Sequence, residues 1–169
     1  AGLVECLKRV RDASDWTSRR AAAKTRRADG TRRSIGIACL PHISGLLTSG
    51  AIIRILEDGT AVLNTGAVDN GQGSDTALVQ MCAAALGLEI EQISLATPDT
   101  DSSPYNWGTT ASRVTYMTGR AVVAAANSVV DQLKQRASTM MECAVEDLEM
   151  RPGGHIGLKG VPDAQVSYE

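Results

Sequence analysis

Two short stretches carry the groups most able to do chemistry in this chain. The first, Gly71-Gln72-Gly73-Ser74-Asp75-Thr76, follows a strand-like run and opens an amphipathic helix. Gly71 and Gly73 remove the Cβ atoms that would hold a ligand off the main chain, and their freedom of φ lets successive amides point into one hollow. Ser74, Asp75 or Thr76 can cap the helix, whose first amides and positive dipole end then face whatever sits over the glycines. Gln72 adds an amide donor and acceptor for a group that is not purely a phosphate. The second stretch, Thr110-Ala111-Ser112-Arg113-Val114-Thr115, closes a long polar loop and leads into another helix. It offers amides, hydroxyls and one guanidinium to an anion. Each stretch also has a plainer reading, as a tight connection with ordinary capping residues, because short Gly-rich patterns recur by chance. Taken as a pair, they form cradles for a ligand with more than one anionic or polar group.

The surrounding elements must position these turns. Leu3, Val4, Leu7 and Val10 fall at helical spacing and predict a short N-terminal helix. Residues 18–33 then crowd Arg19, Arg20, Lys24, Arg26, Arg27, Arg32 and Arg33 into a segment with little to bury. That segment reads either as a phosphate-binding arm or as a solvated surface facing a partner, and no aromatic or glycine pattern of a nucleic-acid module accompanies it. Ser34–Ser44 mixes β-branched and small residues, which predicts a buried strand ended by Pro41; His42 reads as a packed or surface histidine. Asp58-Gly59 between the apolar runs 51–56 and 61–65 predicts an antiparallel hairpin whose second strand delivers the chain to Gln72.

A helix over about 74–86 should bury Leu78, Met81, Cys82 and Ala85, with Gly87 as its left-handed cap. Residues 90–96 predict another strand, followed by the polar loop 99–113. A long loop inside a compact domain usually binds something or is disordered. A second helix over about 116–136 carries the small residues Ala121, Ala124, Ala125 and Ser128, and a shorter helical piece holds Met140, Met141 and Val145. Pro152-Gly153-Gly154-His155 predicts a hairpin turn. The expected architecture is α+β in two layers, a small mixed sheet of about four strands covered on one face by two main helices. An N-terminal helix and basic arm, 1–33, would precede this 34–169 domain.

Composition narrows the classes. Aromatics are 3% of 169 residues and Phe is absent, so the core must be aliphatic and small-residue. A net charge of −2 gives no reason to expect nucleic acid. Cys6, Cys39, Cys82 and Cys143 are too scattered for the usual zinc or iron–sulfur signatures, and fit free thiols in a reducing cytosol. No apolar run is long enough for a membrane span, and the start at Ala1 rather than Met suggests an excised piece. No nucleophile–base pair, carboxylate dyad or metal-ligand cluster stands at a recognised spacing. Asp69, Asp75, Asp99 and Asp101 lie near the cradles, where capping and turn formation account for them.

The residues nevertheless carry a family resemblance. Asp58 through Gly73, with Gln80, Leu86-Gly87, Asp99-Thr100-Asp101, Gly108-Thr109, Ala111-Ser112-Arg113 and Thr118-Gly119, resembles the large subunit of molybdenum hydroxylases, the xanthine dehydrogenase, aldehyde oxidase and carbon monoxide dehydrogenase family. Gly36-Ile37-Ala38 and the opening residues 3–16 fit as well, so the resemblance covers most of the chain.

It implies a molybdopterin cofactor, in some members the cytosine dinucleotide form. Gly71, Gln72, Gly73, Ser74, Asp75 and Thr76 would hold it in one cradle; Thr110, Ala111, Ser112, Arg113, Val114 and Thr115 would hold it in the other. It further implies a cytoplasmic parent that hydroxylates aldehydes or N-heteroaromatics and works with iron–sulfur and FAD subunits. The basic arm would face other domains of that parent. No segment resembles the Gly-rich loop that carries the family's catalytic Glu, so the chain alone is expected to bind little cofactor and to catalyse nothing. Two rival readings use the same features: a free-standing nucleotide- or phosphate-binding module, and an interaction domain docked through its arm.

Overall fold

The computed structural model describes residues 2–40 and 42–168. They fall into two units, 1–41 and 42–169. The first unit begins with α1 (Gly2–Ala13) and α2 (Trp16–Ala22), joined through Asp15 in the left-handed region at φ 49°. The apolar spacing of Leu3, Val4, Leu7 and Val10 does form a helix. Neither helix buries a residue, and Leu3, Val4 and Val10 stand exposed.

The strand expected over 34–44 does not form among its described residues, and Ile37, Leu40 and Ile43 are exposed. Its expected end at Pro41 lies outside the described residues. The physical reason is the lack of a ladder. β-propensity measures fit to a neighbouring strand, and among the described residues none pairs with this segment.

The second unit opens with the predicted hairpin. β1 (Ala51–Ile55) and β2 (Ala61–Thr65) pair antiparallel, with Ala51 opposite Thr65 and Ile55 opposite Ala61. Asp58 Oδ1 accepts from the Thr60 amide at 3.0 Å and its hydroxyl at 2.6 Å, which shapes the turn. α3 (Ser74–Leu86) then crosses back, so that β3 (Ile93–Leu95) joins β2 in parallel. A parallel neighbour requires such a crossover. Residues 90–92 form a 3₁₀ turn, leaving a shorter third strand than the sequence suggested.

α4 (Gly119–Met141) continues through the region expected to hold a separate helix, because nothing between Arg136 and Met141 breaks it; Glu142, at φ 51°, ends it. Its inward face is Gly119, Val122, Ala126, Val130 and Ala137. The stripe predicted at Ala121, Ala124, Ala125 and Ser128 is therefore off the buried face: bulkier valines alternate with small residues against the sheet.

The core fills the layer between the β1–β2–β3 sheet and the helices α3 and α4, and continues to Leu148, Ile156 and Tyr168. Ala61 and Leu63 point inward from β2 toward Leu78, Cys82 and Leu86 of α3 and Val122 and Ala126 of α4. Burying each leucine contributes about 1.5–3 kcal/mol. Cys82 is a core thiol, as its position in the helical pattern implied, and burial pushes it up to about 11. Iodoacetamide at pH 8 should therefore modify exposed Cys6 and Cys39 within minutes and leave Cys82 unlabelled until the chain unfolds. Peptide mass mapping reads this directly, and early labelling of Cys82 would contradict the packing.

The fold is α+β, as expected, but the strands divide differently. In place of one sheet of about four strands, the described residues form two of three. The second is antiparallel, built from β4 (Leu148–Arg151), β5 (His155–Leu158) and β6 (Gln165–Ser167). Its first turn is the predicted Gly153-Gly154 pair, at φ 75° and 73°, the handedness a tight hairpin needs. The Tyr168 hydroxyl donates to the Leu86 carbonyl at 2.7 Å and so ties the end of this sheet to α3.

Candidate functional site

The two turns singled out in the sequence face one hollow of about 630 Å³. From the first turn it takes Gln72, Gly73 and Ser74; from the second it takes Thr110, Ala111, Ser112, Arg113, Val114 and Thr115. Gly71, Asp75 and Thr76 stand outside its wall, while His42, Asn70, Ala77 and Thr109 join it.

The first turn is satisfied from within. Asp69 Oδ1 accepts from the amides of Gly71 at 2.7 Å and Gly73 at 3.3 Å, and Oδ2 accepts from Asp75 at 3.1 Å. The expectation that these amides await an external anion is corrected: Asp69 already supplies one. The amide bonds from Asp75 and Gly71, the strongest influences, hold its carboxyl below the usual carboxylate range. The charged form therefore supports the turn at neutral pH, and that support is lost as pH falls through the lowered pKa. Asp75 is shifted the other way, raised by burial and then by the Asp69 charge.

Gln72 folds back as well. Its Oε1 accepts from the Asn70 amide at 2.8 Å, and its Nε2 donates to Ser74 Oγ at 2.8 Å and to Val68 O at 3.4 Å. The side chain expected to read a ligand instead closes its own turn.

The second turn is strained and heavily braced. Ala111 and Ser112 lie consecutively in the left-handed region, at φ 47° and 48°. For residues with a Cβ this costs about 1–2 kcal/mol each. A π-helical turn, Val114–Thr118, follows before α4 begins. Such strain persists only where the surroundings over-determine it, and π turns recur at functional sites. Ala111→Gly should raise stability by about 1 kcal/mol by relieving the strain. A urea midpoint unchanged or lowered would show that the turn is not held against its preference.

Arg113 does the bracing. It is fully buried. Nε donates to Leu46 O at 2.8 Å, Nη1 to Asn106 Oδ1 at 2.8 Å and Gly108 O at 2.9 Å, and Nη2 to Thr48 O at 2.7 Å and Ser49 Oγ at 2.8 Å. The guanidinium expected to grip an anion thus spends its donors on two loops. Among the described residues no carboxylate pairs with it, so its positive charge is offset only by carbonyls, one amide oxygen and one hydroxyl. Trp107 lies over it, ring centroid 5.9 Å from Cζ.

Asn106, Ser49 and His42 were not among the residues the sequence pointed to. Asn106 also donates to Thr118 Oγ1 at 3.0 Å and accepts from the Gly108 amide at 2.8 Å; the Asn-X-Gly spacing was the available signal. His42 Nε2 lies 3.2 Å from Ser112 Oγ.

Exposed Thr110, Ser112 and Thr115 bring hydroxyls to the wall beside His42 and Asn70, with the buried Ser74 hydroxyl, already accepting from Gln72, behind them. No group of His, Cys, Asp and Glu able to hold a metal ion occurs among the described residues. The arrangement suits a polar molecule held by neutral hydrogen bonds over a buried positive charge.

A model of the molybdopterin cofactor-binding domain matches residues 9–169. The chain belongs to that family. It is 32% identical, over 96% of its length, to the xanthine dehydrogenase molybdenum-binding subunit of Escherichia coli O157:H7, of which it covers 22%. It is 33% identical over 85% of its length to the carbon monoxide dehydrogenase large chain of Hydrogenophaga pseudoflava, covering 20% of that protein. Solved structures agree: reconstituted CO dehydrogenase from Oligotropha carboxidovorans aligns with TM-score 0.66 at 30% identity, over 72% of this chain and 15% of that one. Quinoline 2-oxidoreductase from Pseudomonas putida 86 aligns with TM-score 0.65 at 28% identity, over 70% of this chain and 15% of that one. The chain spans about a fifth of the length of the curated relatives it matches. The family resemblance read along the chain therefore stands, and both turns lie on one hollow.

Proposed function

We propose that this domain holds the molybdopterin of a larger cytoplasmic hydroxylase acting on aldehydes or N-heteroaromatics, alongside iron–sulfur and FAD partners. The observation that carries the reading is the convergence of Gln72–Ser74 and Thr110–Thr115 on one hollow. The donor set fits the group. Four hydroxyls suit the polar edge of a pterin, and the unpaired charge of Arg113 beneath them favours a phosphate through its field rather than by contact.

Cofactor contact falls to Gly73, Ser74, Thr110, Ala111, Ser112, Val114 and Thr115. Gly71, Gln72, Asp75 and Arg113 hold the two turns in shape, and Thr76 stands apart from the hollow. A second hollow of about 760 Å³, walled by Met81, Tyr116, Val123 and Ala124 and sharing Ser112 and Thr115, leaves room for a base. Its apolar wall supports a dinucleotide form of the cofactor. The cofactor, when bound, supplies the two-electron redox chemistry of hydroxylation; the residues of this domain bind and orient it.

The test is molybdenum and pterin content of the whole subunit purified with this domain in place. Ser74→Ala/Ser112→Ala should lower molybdenum per polypeptide to below about half, with secondary structure unchanged by circular dichroism, since each lost hydrogen bond is worth about 0.5–1.5 kcal/mol. Full molybdenum occupancy in that variant would sink the reading.

A further inference from the structure

We propose that Arg19, Arg27 and Arg33 form a binding site for a diphosphate group, built wholly within the N-terminal unit. These three side chains, with Thr25 and Ser34, wall a hollow of about 440 Å³. That lies within the range of about 300–1,000 Å³ usual for small-molecule sites.

The cations of this stretch divide their labour. Arg20 Nη1 donates to Ile35 O at 3.2 Å and Arg26 Nε donates to Gly30 O at 2.9 Å, so these two fold the arm. The Arg27 amide donates to Thr31 O at 2.9 Å and the Gly30 amide to Arg27 O at 3.0 Å, closing a turn beside the hollow. Arg19, Arg27 and Arg33 have no side-chain hydrogen bond or ion pair among the described residues. Asp29 is committed to the Thr31 amide at 2.9 Å and hydroxyl at 2.7 Å, and Asp15, at the start of α2, accepts from the Ser18 hydroxyl at 2.9 Å.

Charge is segregated too. Residues 1–41 hold ten Lys and Arg against four Asp and Glu, while 42–169 hold seven against fifteen. Three unpaired arginines line one concavity, and a guanidinium fork gives bidentate hydrogen bonds to phosphate, of which a diphosphate offers two. Thr25 and Ser34 add neutral donors.

The diphosphate could come from free pyrophosphate or from a nucleoside diphosphate. Calorimetric titration of the intact chain with pyrophosphate and with ADP, at low salt to limit screening, separates the sources. Equal affinities assign the site to the diphosphate alone, and tighter ADP binding adds a nucleoside contact; both support it. Arg27→Gln/Arg33→Gln should weaken one-to-one binding by about tenfold or more. Lys24→Gln/Arg32→Gln, which removes the same charge outside the hollow, should weaken it less than about threefold. Absence of saturable binding, or equal loss in the two double variants, would overturn the site. Loss in Ser74→Ala/Ser112→Ala instead of the arginine pair would also overturn it, by moving the diphosphate to the C-terminal hollow. Because that hollow is tested by molybdenum content, the two readings fail separately.

Discussion

Arg113→Met should remove about 3–5 kcal/mol of folding stability, most of what one substitution can cost a domain of this size. The loss comes from what is left behind. Leu46 O, Thr48 O and Gly108 O, with Asn106 Oδ1 and Ser49 Oγ, surrender a charged donor in a place where the side chain is fully buried. A fully buried acceptor left unpaired costs about 1–3 kcal/mol, and these part-buried ones cost less wherever water reaches them. Arg113→Lys should recover less than half, because an ammonium has three donors on a point and cannot span acceptors on two loops. Urea unfolding with an unchanged slope reads both variants. If Arg113→Met lies within about 1 kcal/mol of the parent, the guanidinium does not brace the two loops.

Gly66→Ala should act on the same scaffold from the other side. An added Cβ would stand 2.5 Å from the Pro104 carbonyl oxygen and 3.0 Å from Asn106 Cβ. The first of these is backbone, so relief requires the 99–108 loop to move rather than a side chain to rotate. Overpacking of this kind costs about 1–3 kcal/mol. It also pulls Asn106 off Arg113 and Thr118, so molybdenum retention in the whole subunit should fall further than stability alone would explain. A variant with parental stability and parental molybdenum content would show the loop to be freely adjustable.

The hairpin, α3 with its Gly87 cap and the Gly153-Gly154 turn were legible because local chemistry decides them: Asp-Gly, helical spacing, paired glycines. Less legible was anything decided by a distant partner. Ser34–Leu40 has strand composition but no ladder. The end of α4 depended on there being no breaker before Glu142. The site shows the same division. That Gln72 and Ser112 belong to one place could be read from two helix-opening turns, but which of their groups remain open could not. Asp69 lies only two residues before Gly71, yet its capture of three amides depends on the curl of the turn. Arg113 reaches back 67 residues to Leu46 O, a distance no spacing pattern encodes.

The π turn at Val114–Thr118 fixes the phase of everything after it. Each residue added to or removed from a helix rotates the remainder by about 100°. Dropping one position there would swing Val122, Ala126 and Val130 out of the core and carry exposed Val123 and Asn127 inward. Orthologues can therefore vary the side chains of this segment, but a gap in their alignment between Arg113 and Gly119 would have to be compensated within the same turn.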